Sequence, residues 1–151
     1  MNENPHIFAE VSADLLRRGQ TVRFRPQGYS MYPMIRDGDI IEVAPIQATS
    51  VKTGEVILYA VGSRVLAHRV LAIKGSEAEE TIFRLQGDAH HVGDETVRAD
   101  QILGHVVAVE RGGRRISLIG RRPGVIERLG LWWLRGKRAL QARWRTLTRK
   151  A

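Results

Sequence analysis

Three short stretches of this chain carry side chains able to do chemistry. In Gly28-Tyr29-Ser30-Met31-Tyr32-Pro33-Met34-Ile35-Arg36-Asp37-Gly38-Asp39, a serine stands between a permissive glycine and a stiff proline turn. Gly28 allows an unusual backbone angle and a close approach by another segment just before the serine. Such a setting can hold a hydroxyl exposed and fixed for attack on a carbonyl. The same pattern also describes a polar loop between two strands, with Ser30 merely hydrogen-bonded to backbone. The second stretch, Val65-Leu66-Ala67-His68-Arg69-Val70-Leu71, places His68 on the side of a strand shared with Leu66 and Val70. A neutral imidazole with a pKa of ~6.5 can take a serine proton, whereas a lone histidine on an apolar face is otherwise a structural residue. The third, Leu85-Gln86-Gly87-Asp88-Ala89-His90-His91-Val92-Gly93-Asp94-Glu95, offers acids to orient an imidazole, or simply a solvated turn with capping aspartates. Its two adjacent histidines are poorly placed to converge on a metal, and the chain has no cysteine, so neither metal nor cofactor is expected.

The elements that must position these residues follow from periodicity. Residues from Pro5 to Arg18 predict an amphipathic helix with Ile7, Val11 and Leu15 on one side beside Phe8 and Leu16, stopped at Gly19. From Thr21 to Leu118 the pattern changes to short β-type runs broken by Gly, Asp and Pro. Strands are expected at Thr21–Arg25, Asp39–Ala44, Glu55–Val61, Val65–Ile73, Thr81–Gln86, Ile102–Glu110 and Arg114–Ile119, separated by glycine-rich turns. After Pro123-Gly124 a helical period returns through Leu129, Trp133, Leu140, Trp144 and Leu147. The expected organisation is therefore an N-terminal helix over 1–19, a β body over 20–122 and a basic amphipathic helix over 123–151. At 151 residues with 43% apolar content, one mainly β domain with its own core is expected.

Gly28, Ser30, Met31, Pro33, Gly38 and Asp39 match, in order, the nucleophile box of the signal peptidases and their LexA-type relatives, which this chain resembles. The resemblance spans roughly Thr21 to Glu110. It implies a coiled β-sheet body and a serine endopeptidase with Ser30 as nucleophile. Bacterial signal peptidases use a lysine base where this chain has His68-Arg69, which is similar to the Ser-His branch found in the endoplasmic reticulum and archaea. In that branch a Gly-Asp turn leads to an acidic pair, so Asp94 is the implied third member and Asp88 the next choice. The implied oxyanion and substrate contacts are Gly28, Tyr29 and Met31, with the backbone N–H of Ser30 as an oxyanion donor. Gly28 also stands where some relatives carry a hydroxyl that donates to the oxyanion. The implied substrate is a leader or signal-like peptide lying extended along a strand edge.

Charge is unevenly spread. The net charge is +8, yet from Arg111 onward there are 13 Lys/Arg against the single acid Glu127, while residues 1–110 hold 11 against 15. A basic tail with Trp132, Trp133 and Trp144 suggests peripheral contact with an anionic membrane through residues 125–150. Docking of that helix on the body or on a second subunit is the competing expectation, and nucleic acid is the least favoured partner. No run of about 18 apolar residues exists, and residues 1–18 lack a signal-peptide core, so a cytoplasmic protein is expected. Two rival functions share the fold: a non-catalytic peptide-binding module, and a LexA-like regulator that cleaves itself.

Overall fold

Alternating burial along short strands builds this structure, a computed structural model that describes residues 5–75, 80–89 and 94–120. One helix, α1 (Pro5–Arg17), precedes eight strands. These are β1 (Val22–Phe24), β2 (Ile40–Ala44), β3 (Val56–Val61), β4 (Arg64–Lys74), β5 (Ile82–Gln86), β6 (Glu95–Arg98), β7 (Ile102–Arg111) and β8 (Arg114–Ser117). All pair antiparallel in one curled sheet, in the order β1-β2-β7-β3-β4-β5-β6, with β8 also on β7. The mainly β class expected from the sequence is the class observed.

The long strand β7 is the spine. One of its edges pairs with β2, while the other is shared by β3 and β8. Register shifts at Glu42/Val43, Leu58/Tyr59 and Val70/Ala72 are the irregularities that bend strands and let a sheet curl. The curl separates two apolar clusters. One gathers Leu16, Met31, Ile35, Ile41, Val43, Val56, Leu58 and Val109. The other gathers Val51, Ile57, Tyr59, Val70, Phe83, Leu85 and Val97. Neighbouring residues of β3 thus serve opposite clusters, as a period of two dictates.

The helix ends as predicted, with Gln20 N–H donating to Leu15 O and Gly19 N–H to Leu16 O, the paired bonds of a Schellman motif. Its buried face differs from the expectation. Ser12, Ala13 and Leu16 are buried and Phe8 packs edge-on against Phe24, whereas Ile7 and Val11 remain exposed. The contact stripe runs 8-12-15-16, one step round the helix from 7-11-15, because Phe8 carries the larger apolar surface and finds an aromatic partner.

The sequence reading also missed β6. Glu95-Thr96-Val97-Arg98 has one apolar residue, too little for a visible alternation, yet Val97 is buried opposite Phe83. That single burial is worth about 1.5–3 kcal/mol and adds to the ladder pairing that seats the strand on β5. The expected C-terminal helix over 123–151 lies outside the described residues.

Candidate active site

Ser30 sits in the long connection between β1 and β2, half-buried. Its loop is fixed at both ends by physical necessity. Met31 and Ile35 are buried in the first cluster, and Ile35 N–H donates to Met31 O at 2.9 Å, closing the segment into a tight turn. Further on, Asp39 is 2% exposed, and its carboxylate accepts from the Arg36 N–H and from two nitrogens of Arg111 at 2.9 and 2.6 Å. Arg111 also donates to Met34 O. The bonded guanidinium holds the Asp39 carboxyl below the usual carboxylate range, against the opposing effect of burial.

Gly28 has φ +98°, a conformation side chains rarely adopt, so the backbone angle explains the glycine. The expected close approach is not made there, since a Cβ at Gly28 would meet nothing within 4 Å. It is made instead at Gly87, where an added Cβ would lie 2.4 Å from Ser30 O and 3.2 Å from Ser30 Cβ. Ala89 N–H donates to Ser30 O at 2.9 Å, so the serine loop lies directly on the Gly87-Asp88-Ala89 turn. Gly87 follows Gln86, the register partner of Arg69, and so sits beside the strand segment that carries His68.

His68 is 2% exposed, on the same side of β4 as Val70. Burial pulls its pKa below the ordinary histidine value, with Glu95 and then Asp88 pulling it back up. Its Nδ1 is 2.7 Å from the Tyr59 hydroxyl, which is also hydrogen-bonded to Glu95 Oε2. Glu95 Oε2 itself lies 3.8 Å from Nδ1. Among the described residues, His68 Nε2 makes no hydrogen bond, and none joins His68 to Ser30. Catalytic hydrogen bonds of this kind often tighten only in the complex with substrate.

The acids divide differently from the expectation. Asp88 is taken by Arg69, which donates through Nε at 2.8 Å and Nη2 at 2.6 Å while also holding Gly54 O. Asp94 is half-exposed, accepts from Gln86 at 2.7 Å and lies near Arg84. The structure therefore does not bring Asp94 to His68; the carboxylate at Nδ1 is that of Glu95. Strand parity explains the one-residue difference: Glu95 pairs with Leu85, and Leu85 pairs with Val70, so all three share the side of His68. Tyr59 was also missed, since within Val56–Val61 it reads as one more core aromatic.

The other implied contacts are placed as follows. Tyr29 is 68% exposed and flanks Ser30, whereas the Met31 side chain is core and cannot touch a ligand without leaving it. Among the described residues neither the Ser30 nor the Met31 N–H has a hydrogen-bond partner. Both N–H groups are therefore available as donors next to the Ser30 hydroxyl. Among the described residues no cluster of three metal-ligating side chains occurs, and no helix is long and apolar enough to cross a membrane.

Compared with known protein families, residues 2–107 match the model described as Peptidase S24-like. No curated protein matches the chain significantly.

Proposed function

The chain belongs to the Peptidase S24-like family, and from that premise we propose that it is a serine endopeptidase with Ser30 as nucleophile and His68 as general base. Membership of the family supports a function of serine peptidase type. The finer reading is that it cleaves a leader or signal-like segment from a peptide or precursor protein. In this reading Ser30 Oγ attacks the scissile carbonyl while His68 Nε2 takes its proton. The N–H groups of Ser30 and Met31 receive the oxyanion. Collapse of that intermediate breaks the C–N bond, and His68 passes the proton to the leaving amine. Water, deprotonated by the same imidazole, then hydrolyses the acyl-enzyme. A base of depressed pKa is neutral, and so competent, at neutral pH.

The observation that carries the reading is the seating of the Ser30 loop on Gly87, with Ser30 O bonded to Ala89 N–H, beside the strand that bears His68. A loop that served only to link β1 and β2 has no need of that contact. Exposed Tyr29 and Tyr32 on either side of Ser30 are the surfaces a peptide would meet first. The proposed setting is cytoplasmic, with peripheral attachment to anionic membrane through residues 125–150.

The test is labelling with a fluorophosphonate probe, comparing wild type with Ser30→Ala and His68→Gln, each checked for folding by circular dichroism. Labelling of wild type alone is expected. A folded wild type that stays unlabelled would overturn the proposal.

A further inference from the structure

The hydrogen bonds around His68 leave one consistent place for its ring proton. Glu95, as a carboxylate, can only accept hydrogen bonds, and Tyr59 has one phenolic proton to give. That proton goes to Glu95 Oε2. The Tyr59 oxygen must then be the acceptor in its 2.7 Å contact with His68 Nδ1, which requires the histidine proton to sit on Nδ1. The lone pair is left on Nε2, which has no hydrogen-bond partner among the described residues. We propose that Tyr59 and Glu95 are positioning residues that lock His68 in the Nδ1–H tautomer, with the tyrosine hydroxyl interposed between acid and imidazole. The role assigned to the pair rests on His68 being the base.

The arrangement is built for that purpose in ways a chance contact would not require. Tyr59 is fully buried, so its hydroxyl cannot exchange these partners for bulk water. A buried phenol without partners carries a desolvation penalty, so the orientation is enforced. Its pKa is driven far above the ordinary tyrosine value, first by burial and then by Glu95, so it remains a donor throughout the working pH range. The remaining nearby acid, Asp88, is held by Arg69 and does not compete for Nδ1. Glu95 is reached only because the short strand β6 pairs with β5 in the register Leu85 opposite Glu95.

The tautomer can be read without any substrate. The experiment is nitrogen NMR of the full chain with 15N-labelled histidine, in which protonated and bare ring nitrogens resonate far apart. The His68 signals are assigned by their loss in His68→Gln. Wild type is expected to show Nδ1–H. In Glu95→Gln the amide can donate to the Tyr59 oxygen, turning the phenol proton toward Nδ1 and moving the histidine proton to Nε2. Tyr59→Phe, which keeps the ring in the core, removes the acceptor that holds the proton on Nδ1. Each variant is also expected to slow fluorophosphonate labelling by about tenfold to a hundredfold, less than loss of the base itself. An Nε2–H signal in wild type, or a tautomer unmoved in both variants, would overturn the inference. An Nδ1–H signal that moves as stated, in a protein whose Ser30 never labels, would uphold the lock and overturn the peptidase reading instead.

Discussion

Arg111, the last residue of β7, grips both carboxylate oxygens of Asp39, the residue before β2, at 2.9 and 2.6 Å. The two are 72 positions apart in sequence, and between them they fix the far end of the loop that carries Ser30. The same guanidinium reaches Met34 O, so one side chain ties that loop to the spine of the sheet.

Removing that side chain strands a buried carboxylate. Arg111→Ala is expected to lower unfolding free energy by about 3 kcal/mol, at the lower end for a broken buried pair because Arg111 is partly exposed. The measurement is the urea midpoint with unchanged slope. Its pH dependence follows from the depressed Asp39 pKa. The pair contributes fully above the unfolded value of ~3.9 and is lost as pH falls through the lower folded value. The gap between wild type and variant should therefore narrow in acid. A gap that is constant from neutral pH into acid would assign the effect to packing instead.

What the sequence reveals here is what lies close together along it. Seven strands are legible because short β-type runs are broken by Gly, Asp and Pro, and the nucleophile box is legible because its six residues all fall within Gly28–Asp39. β6 is not, since one valine cannot display a period. With β6 hidden, the choice between Asp94 and Glu95 has no basis in the sequence. Adjacent strand residues face opposite sides, and only the pairing of Glu95 with Leu85 decides which acid meets His68. Tyr59 is hidden for the opposite reason: it lies in so apolar a strand that its hydroxyl passes unnoticed. Arg111 is hidden by its company, reading as the first charge of a basic tail.

Gly87→Ala tests the contact between the serine loop and its turn. The added Cβ would stand 2.4 Å from a backbone oxygen that cannot rotate away, so Ser30 must shift. Displacement of a nucleophile by an ångström is enough to cost about a hundredfold in rate. Fluorophosphonate labelling should fall by about that factor in a variant that still folds by circular dichroism, and the urea midpoint should fall as well, by the equivalent of about 1–3 kcal/mol. An unchanged labelling rate would mean that the approach at Gly87 does not set the serine's position.

The basic segment makes a separate prediction, resting on its composition alone. Deleting the residues after Pro123 removes Trp132, Trp133, Trp144 and most of the local positive charge. Co-sedimentation with vesicles containing phosphatidylserine should be lost, and in the full chain it should weaken as salt is raised. Equal sedimentation of full-length and truncated protein would remove lipid attachment from consideration.

The pH profile of Ser30 labelling follows from the environment of His68. Three effects set its pKa: burial lowers it, while the charges of Glu95 and Asp88 partly restore it. Burial is the largest effect, so the imidazole stays neutral below its ordinary value of ~6.5. The base is competent only when neutral, so labelling should be level at neutral pH and fall on acidification through a midpoint below that value. Glu95→Gln removes a charge that favours the imidazolium, so its midpoint should move to still lower pH even as its plateau drops. A merely structural carboxylate would change the plateau without moving the midpoint. The same protonation opposes folding, because a buried imidazole must acquire charge. Its contribution to stability is complete above the unfolded histidine pKa and declines as pH falls toward the folded value. Labelling and stability should both weaken on the acid side, with the labelling midpoint set by the folded-state pKa of His68. A labelling midpoint above ~6.5 in wild type would show that the buried histidine is not the group that activates Ser30.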